Sequence, residues 1–324
     1  MSANIINLIM AGEPGFSFEV LPPLKGRSIA GLFANVDSLL PYGPRYINVT
    51  THRSELVYKS VADGLYQRVS ERSRPGTVAV AAAIQNRYDL PAVPHLICSG
   101  YTALETEYAL IDLSFLGITN LLVLRGDKAK HEPRFTPQEG GYSHASELAG
   151  QINRFNDCLL LDGTRFDHAA EERFTYGVAG YPEKHEESPN MEADLMRLKD
   201  KVDAGASYIV TQLFFDNEKF YRFVDSCRAI GIDVPIVPGL KPLVSGGQLS
   251  VIPTTFKVDM PKVLVDKVAS NSDGAYVKAA GVEWMIQQSR ELIEQGFNHI
   301  HYYSHNSVPS VKAVVEAVFP RVTQ

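Results

Sequence analysis

The sequence predicts an α/β protein built as a single (β/α)8 barrel. Short β-rich segments alternate with longer stretches of helical periodicity along the whole chain, and the alternation gives eight strand–helix units. Consecutive strands that are separated by a helix run parallel, so we expect a parallel sheet throughout. The length of 324 residues suits one large barrel, and residues 1–324 are assigned to it as one catalytic domain.

The competing architecture is an open, doubly wound sheet. Such a sheet usually has a glycine-rich turn after its first strand, where the backbone approaches a dinucleotide. In this chain the first predicted strand, residues 16–21, is followed by Pro22-Pro23-Leu24-Lys25-Gly26, which lacks that glycine spacing. The closed barrel is therefore the predicted fold.

In the N-terminal half, predicted strands are short runs rich in β-branched and aromatic residues, and predicted helices carry apolar residues at intervals of three and four. Thr77 and Thr102 are predicted to cap helices, and Glu105 completes a capping box with Thr102. The strands are predicted at 16–21, 46–50, 95–98 and 120–124, and the helices at 28–40, 57–69, 77–88 and from 102 onward.

The C-terminal half repeats this pattern with clear helix stops, because Gly205, Gly231 and Gly296 follow predicted helices. The strands are predicted at 174–179, 208–214, 234–237 and 299–303. The helices are predicted at 146–155, 192–204, 218–230, 246–252, 261–269, 276–295 and 308–318. Two stretches without either period, 128–145 and 156–173, are predicted to be long loops.

Composition and charge exclude several classes of protein. Lys plus Arg is 31 and Asp plus Glu is 37, so the net charge of −6 argues against a nucleic-acid binder. No apolar run reaches the ~18 residues of a membrane span, and the N-terminus lacks the pattern of a secretory signal. Cys98, Cys158 and Cys227 form neither a disulfide framework nor a zinc site, so the cytoplasm is the expected compartment.

The reacting groups of a barrel lie at the carboxyl ends of its strands. Glu19 has apolar neighbours within the first strand, and burial raises the pKa of a carboxyl group. It is therefore either a general acid or a salt-bridged structural residue. Arg125-Gly126-Asp127 ends the fourth strand, where the glycine lets a ligand approach the backbone, although an ordinary charged turn has the same pattern.

Further polar residues also have two interpretations. Gln212 interrupts an apolar strand, and its amide needs partners on neighbouring strands or on a ligand. The segment Tyr181–His185 follows the fifth strand and either contacts a cofactor or forms a surface loop. His299 and His301 share one face of the eighth strand, but no further ligands complete a set, so we predict packing histidines and no metal.

A series of segments at or near the predicted strand ends carries a family resemblance through its order and spacing. The segments are Phe16–Pro23, Ile47–Thr50, Pro94–Cys98, Leu124–Asp127, Val178–His185, Ala193–Lys201, Val202–Ala206, Thr211–Asp216 and Pro238–Gly239. Together they resemble the methylenetetrahydrofolate reductase family over nearly the whole chain.

The resemblance implies a barrel that carries FAD, takes a hydride from NADH or NADPH and reduces 5,10-methylenetetrahydrofolate to 5-methyltetrahydrofolate. The two substrates of the family use the flavin in turn, and a homo-oligomer is compatible with the family. By position, Glu19 resembles the family's acid, Asp127 the carboxylate near the flavin, and Gln212 and Gln248 its substrate contacts. The implied FAD contacts are Thr50, His95, Arg125, Gly126, Asp127, His144, Ala145, Tyr181, His185, Asp194, Arg197 and Lys201.

The chain departs from the family pattern at several positions. Arg197 and Asp200 stand where the family commonly has an uncharged amide and a cation, and Ser307 stands where an arginine often contacts folate. The stretch 156–173 is longer than usual. The chain ends after the barrel, so we expect no regulatory domain and no inhibition by S-adenosylmethionine.

Two other functions remain open. A folate- and flavin-binding barrel subunit could receive electrons from a partner protein, and the departures at Asp200 and Ser307 motivate this alternative. Reduction of the flavin by NADH or NADPH distinguishes it from the reductase. A pterin methyltransferase barrel is the third candidate, but it leaves the flavin-site matches unexplained.

Overall fold

A computed structural model describes residues 4–129, 132–166, 173–305 and 307–319. The strands are β1 (Gly15–Val20), β2 (Ile47–Val49), β3 (Glu55–Ser60), β4 (Tyr66–Glu71), β5 (Ala92–Ile97), β6 (Asn120–Leu124), β7 (Thr175–Gly180), β8 (Tyr208–Thr211), β9 (Ile236–Val237), β10 (Gly239–Leu240) and β11 (His299–Tyr302). The helices are α1 (Ile5–Ile9), α2 (Ala30–Asp37), α3 (Thr77–Tyr88), α4 (Ala103–Phe115), α5 (Ala145–Asn156), α6 (Met191–Asp203), α7 (Asn217–Ala229), α8 (Gln248–Phe256), α9 (Lys262–Ala269), α10 (Gly274–Glu294) and α11 (Val308–Val318).

The main sheet closes into a barrel. Its strand order is β10–β11–β1–β2–β5–β6–β7–β8–β9, and all its pairings are parallel. Only Pro238 separates β9 from β10; β9 pairs with β8, whereas β10 pairs with β11. These two pieces act as one interrupted strand, because proline has no N–H to donate to a ladder. The barrel therefore has eight strand positions, and the predicted (β/α)8 fold is confirmed.

Strand alternation divides the interior into two parts. Phe16, Phe18 and Val20 of β1 belong to the large core between barrel and helices, so the alternate residues Ser17 and Glu19 face the lumen. The amino end of the lumen is filled by an apolar cluster, to which α1 contributes two isoleucines. The cluster consists of Ile5, Ile9, Tyr46, Val93, Leu122, Tyr208, Val210 and Val237. Because this cluster fills the amino end, which we call the floor of the barrel, the open and polar mouth of the barrel lies at the carboxyl ends of the strands.

The predicted helix at 57–69 is wrong, because this segment is the antiparallel hairpin β3–β4. Asp63 and Gly64 at its turn have φ angles of 63° and 74°. Left-handed backbone at two consecutive residues cannot continue a right-handed helix, and an Asp-Gly pair is a typical hairpin turn. The hairpin lies outside the barrel as a separate two-stranded sheet.

The predicted helix caps and loops are found in the structure, with one exception at Thr77. Gly76 is the N-cap of α3, and the Thr77 hydroxyl donates instead to the Val49 carbonyl over 3.0 Å. The capping box is confirmed: Thr102 N donates to Glu105 Oε2 over 2.8 Å, and Glu105 N donates to Thr102 Oγ1 over 3.1 Å. The predicted loop 156–173 contains an isolated bridge between Leu159 and Arg165, while residues 130–131 and 167–172 lie outside the described chain.

Candidate active site

Glu19 lies near the carboxyl end of β1, at the mouth of the barrel. Its side chain is buried, and burial raises the pKa of its carboxyl group from 4.5 to about 7, although Lys241 opposes the rise. The energetic cause is desolvation, which disfavours the charged form. At neutral pH the protonated and ionised forms of Glu19 are therefore both populated, as a general acid requires.

A polar layer of neutral side chains lies below Glu19 in the lumen. Ser17 Oγ lies 2.9 Å from His301 Nδ1 and 3.1 Å from His299 Nε2, and Asn48 Nδ2 lies 3.2 Å from His301 Nδ1. Burial lowers the pKa of both His95 and His301 to about 3. These imidazoles are uncharged at neutral pH, and no group of three metal-ligating side chains occurs within the described chain.

Tyr303 directly follows β11, and its side chain passes over Gly239 of β10 to reach Thr211 of β8. Its hydroxyl donates to the Thr211 carbonyl over 2.6 Å. A Cβ at Gly239 would come within 2.6 Å of the Tyr303 ring and 2.3 Å of the Thr211 carbonyl oxygen, so only glycine leaves room for this arrangement. Neither Tyr303 nor the nearby Lys241 is among the site residues predicted from the sequence.

The turn Arg125-Gly126-Asp127 packs against the end of β5. Gly126 has a φ of +80°, and a Cβ there would lie 2.8 Å from Ser99 Cβ. The Ser99 hydroxyl donates to the Asp127 carbonyl over 2.7 Å, which fixes the turn. The Asp127 carboxylate is exposed, and its negative charge contributes to raising the pKa of Tyr181.

Arg125 is held at the rim by two interactions. Its guanidinium group pairs with the Glu187 carboxylate and lies 4.7 Å from the centre of the Phe135 ring. The hydrogen bond from Arg125 and the positive charge of its guanidinium group both lower the pKa of the Glu187 carboxyl group. Arg125 also lines a cavity of about 670 Å³ with Lys128, Arg134 and Phe135. These three residues were predicted only to belong to the long loop 128–145.

The loop after β7 is tied to the first turn of α6. Asp194 is buried and accepts hydrogen bonds from the His185 backbone N–H over 3.1 Å and from the Ser188 hydroxyl over 2.6 Å. The Glu187 N–H donates to His185 Nδ1 over 3.2 Å, so neutral His185 carries its proton on Nε2. Tyr181 packs edge-on against the same imidazole, with ring centres 4.8 Å apart. Asp194 thus positions this loop.

Lys201 places a cation at the end of β7. Its Nζ donates to the Ala179 carbonyl over 2.8 Å, and burial lowers its pKa to about 8 while Asp194 opposes that change. Arg197, one turn earlier on α6, donates to the Ser188 hydroxyl over 3.1 Å, and Asp200 is exposed on the same helix. Arg197, Asp200 and Lys201 therefore lie within about one turn of α6.

The other implied cofactor residues differ in their surroundings. The Thr50 hydroxyl donates to the Val20 carbonyl over 3.2 Å, whereas His95 Nε2 is buried without a hydrogen-bond partner among the described residues. His144 is the exposed N-cap residue of α5, and its backbone N–H donates to Glu147 Oε2 over 2.8 Å. Ala145 begins the helix and packs against the core.

Both implied substrate glutamines use their carbonyl oxygens locally. Gln212 Oε1 accepts from the Leu213 N–H over 2.9 Å, and Gln248 Oε1 accepts from the Val244 N–H over 2.6 Å. Within the described residues the amide NH2 group of each side chain makes no hydrogen bond, so it is left for other acceptors. Ser307 is buried at the start of α11, where its hydroxyl donates to the Ser304 carbonyl over 3.2 Å.

Fold and site together define the class of protein: a (β/α)8 barrel with a buried acid and several anchored cations at the carboxyl ends of its strands, where barrel enzymes carry their active sites. The family model "Methylenetetrahydrofolate reductase" matches residues 4–318. The chain therefore belongs to the methylenetetrahydrofolate reductase family, as its sequence motifs predict.

Individual relatives agree with this assignment. "Methylenetetrahydrofolate reductase (NADH) 1" of Arabidopsis thaliana is 30% identical over 308 residues, 91% of this chain and 46% of that protein. "5,10-methylenetetrahydrofolate reductase" of Escherichia coli K12 is 30% identical over 297 residues, 91% of this chain and 87% of that protein. The chain spans about half the length of the plant and yeast relatives that it matches.

A solved structure supports the fold. An uncharacterized protein from Clostridium thermocellum, described as binding two copies of 5-methyl-5,6,7,8-tetrahydrofolic acid, superposes with a TM-score of 0.56 at 14% sequence identity and covers 98% of both chains. Separately, none of the helices in the described residues has the length and apolar character of a membrane span.

Proposed function

We propose that this protein is an FAD-dependent oxidoreductase that reduces 5,10-methylenetetrahydrofolate to 5-methyltetrahydrofolate with NADH or NADPH. The observation that carries the proposal is Glu19, a buried carboxyl group with a pKa of about 7 at the open end of the barrel. Family membership and the printed names of the relatives support the same reaction. Three free cysteines suit a cytoplasmic location.

The residues at the mouth fit a flavin dinucleotide. His95 Nε2 is a buried polar atom without a partner in the described chain, and Gly126 lets the turn pack closely against Ser99 beside it. Lys201 and Arg125 supply the positive charge that a diphosphate needs. The residues that would hold FAD are Thr50, His95, Arg125, Gly126, Asp127, His144, Ala145, Tyr181, His185, Asp194, Arg197 and Lys201. When bound, the flavin supplies hydride transfer between nicotinamide and folate.

The protein's own groups would prepare the folate. Protonated Glu19 donates to the ring nitrogen of the bound folate as the imidazolidine ring opens, which makes the one-carbon unit electrophilic. The free amide NH2 groups of Gln212 and Gln248 donate to polar atoms of the substrate and orient it. Asp127 adds negative charge near the flavin ring, where charge tunes the reactivity of a cofactor.

Arg197 compensates for Asp200 at the cofactor's diphosphate. An acid on α6 would weaken the binding of a phosphate, but Arg197 is held one turn away by the Ser188 hydroxyl. Through Ser188 it is linked to Asp194 and hence to the loop after β7. The local charge of this helix face therefore remains compatible with an anionic ligand.

An anaerobic titration tests the proposal. Added FAD should bind and give the visible flavin spectrum, NADH or NADPH should bleach it, and methylenetetrahydrofolate should restore it with formation of 5-methyltetrahydrofolate. Failure to bind FAD, or failure of folate to reoxidise the flavin, contradicts the proposal.

The same titration tests the alternative function as a subunit fed by a partner protein. If neither nucleotide bleaches the flavin while chemically reduced flavin is still reoxidised by folate, the electrons come from a partner.

A further inference from the structure

Strand register places Lys241 at the height of Glu19. Phe18 of β1 and Leu240 of β10 are both aligned with Tyr302 of β11. The next residues along these strands, Glu19 and Lys241, therefore flank Tyr303 on its two sides. Phe18, Tyr302 and Leu240 belong to the outer core, so alternation turns the residues that follow them toward the lumen.

The distance between the Glu19 and Lys241 backbones is short enough for a lysine side chain to span. Neighbouring strands lie about 4.8 Å apart, so two intervals separate the Glu19 and Lys241 backbones by about 10 Å, and inward-facing side chains of a barrel converge. Tyr303, the residue between them, is bonded to the Thr211 carbonyl and packed over Gly239. Lys241 is half-buried, and its Nζ lies 3.4 Å from the His305 carbonyl oxygen at the same rim.

The other groups around Glu19 are neutral or act elsewhere. Asn48 of β2 and Thr50, which directly follows this strand, carry no charge. His301 of β11 stays neutral because burial lowers its pKa to about 3. Burial also lowers the pKa of His52, beyond β2, and of His305, beyond β11.

Further titratable groups at this rim are phenols and Lys241, while the charge of Arg74 acts on His52 and His305 and not on Glu19. Burial raises the pKa of Tyr303 and of Tyr181, which lies across the lumen. Within the described chain, Lys241 is the charged side chain that lowers the pKa of Glu19, and Glu19 in return raises the pKa of Lys241, which burial lowers.

We propose that Lys241 is the positioning residue of Glu19: its ammonium group stabilises the carboxylate across Tyr303 and sets how much of Glu19 carries a proton at neutral pH. Without this charge, burial alone would leave Glu19 almost fully protonated, and the residue would give up its proton less readily. The catalytic consequence of this pairing rests on the proposed function, but the pairing itself does not.

The direct experiment is a carboxyl ¹³C NMR titration of the full chain, labelled at glutamate, before nucleotide or folate is added. The Glu19 signal is identified by its loss in Glu19→Gln. We expect a midpoint near pH 7 in the parent protein and a midpoint about one pH unit higher in Lys241→Met, a tenfold change in proton affinity. Lys241→Arg should keep the parent midpoint, and so should the control Lys262→Met, which removes an exposed lysine of α9.

An unchanged midpoint in Lys241→Met overturns the proposal. Equal shifts in Lys241→Met and Lys241→Arg also overturn it, because packing rather than charge would then be responsible. If Lys241→Met does not fold, Lys241→Gln provides the same test with a polar side chain. A shifted midpoint in a protein that cannot reduce folate would leave the pairing intact and reject the proposed function. In an active protein, the alkaline limb of the folate half-reaction should move upward with the midpoint.

Discussion

The two sides of the barrel mouth are built on different principles. We call Glu19, Tyr303 and Lys241 the acid side, and Arg125, Asp194 and Lys201 the cation side. Glu19 lies on β1, and Lys241 and Tyr303 directly follow β10 and β11, whose register sets their positions. Burial and the charge of Lys241 set the pKa of Glu19, and no ion pair to Glu19 occurs within the described residues. The cation side lies on loops and α6, where hydrogen bonds and ion pairs fix each group directly. The proposed function assigns proton chemistry to the acid side and ligand binding to the cation side.

The largest expected effect separates the two sides by their chemistry. Glu19→Gln should slow the folate half-reaction by about 100-fold or more, because it removes the only proton proposed for ring opening, and it should leave flavin reduction by NADH or NADPH unchanged. Stopped-flow absorbance measures both half-reactions. Glu283→Gln is the control, since Glu283 is an exposed residue of α10 that pairs with Lys267 of α9. Equal losses in both half-reactions would show that Glu19 is structural.

The second prediction concerns how the buried carboxyl group of Glu19 lowers the free energy of unfolding when it ionises. The pKa of Glu19 is about 7 in the folded protein and 4.5 when the side chain is exposed to water, so the wild-type protein loses stability as pH rises from 4.5 through 7. Glu19→Gln does not titrate and should be more stable than wild type at pH 8 by on the order of 3 kcal/mol, with the difference vanishing below pH 4.5. Urea unfolding at both pH values measures this. A difference that does not depend on pH would contradict the burial of an ionisable Glu19.

The third prediction tests the cation side. Lys201→Met should weaken FAD binding by about 10- to 100-fold, because the variant would lose the charged hydrogen bond that we propose between Lys201 and the diphosphate. Fluorescence titration with FAD measures the affinity. Lys199→Met on the same helix removes a lysine that pairs with Asp203 and should bind FAD as the parent does. Equal affinity in both variants would remove Lys201 from the binding site.

The smallest expected effect concerns the backbone of the cation side. Gly126→Ala should destabilise the fold by about 1–3 kcal/mol, because alanine must adopt a φ of +80° against Ser99. Gly150→Ala has open space within α5 and should stabilise by about 0.5–1 kcal/mol. Denaturant unfolding compares the two variants. If Gly126→Ala is as stable as the parent, the turn is not held as described.

Features that depend on residues close together in the chain could be predicted from the sequence. Apolar neighbours within one strand predict that Glu19 is buried, and the alternation of strands and helices predicts the barrel. The hairpin was missed although its Asp63-Gly64 turn is also a local signal, because its exposed strands lack a buried face that would show a period of two. The floor helix α1 was missed because five residues are too few to show helical periodicity.

Tyr303 ends the predicted strand 299–303 and could have been selected by its place, whereas Lys241 could not have been selected from the sequence alone. Pro238 interrupts the seventh strand position, so the predicted strand ended at residue 237 and Lys241 fell beyond it. The relation between Lys241 and Glu19 depends on the register of two ladders that meet on β11. Register between strands far apart in the chain is set by tertiary packing and leaves no mark within either segment.

The most direct test of the division between the two sides compares Glu19→Gln and Lys201→Met in the same pair of measurements, FAD affinity and folate reduction at saturating FAD. The structure predicts opposite losses: Glu19→Gln keeps its FAD affinity and loses folate reduction, whereas Lys201→Met loses affinity and, once saturated with FAD, reduces folate. A variant that loses both properties, or a Glu19→Gln protein that reduces folate at the parent rate, would contradict it.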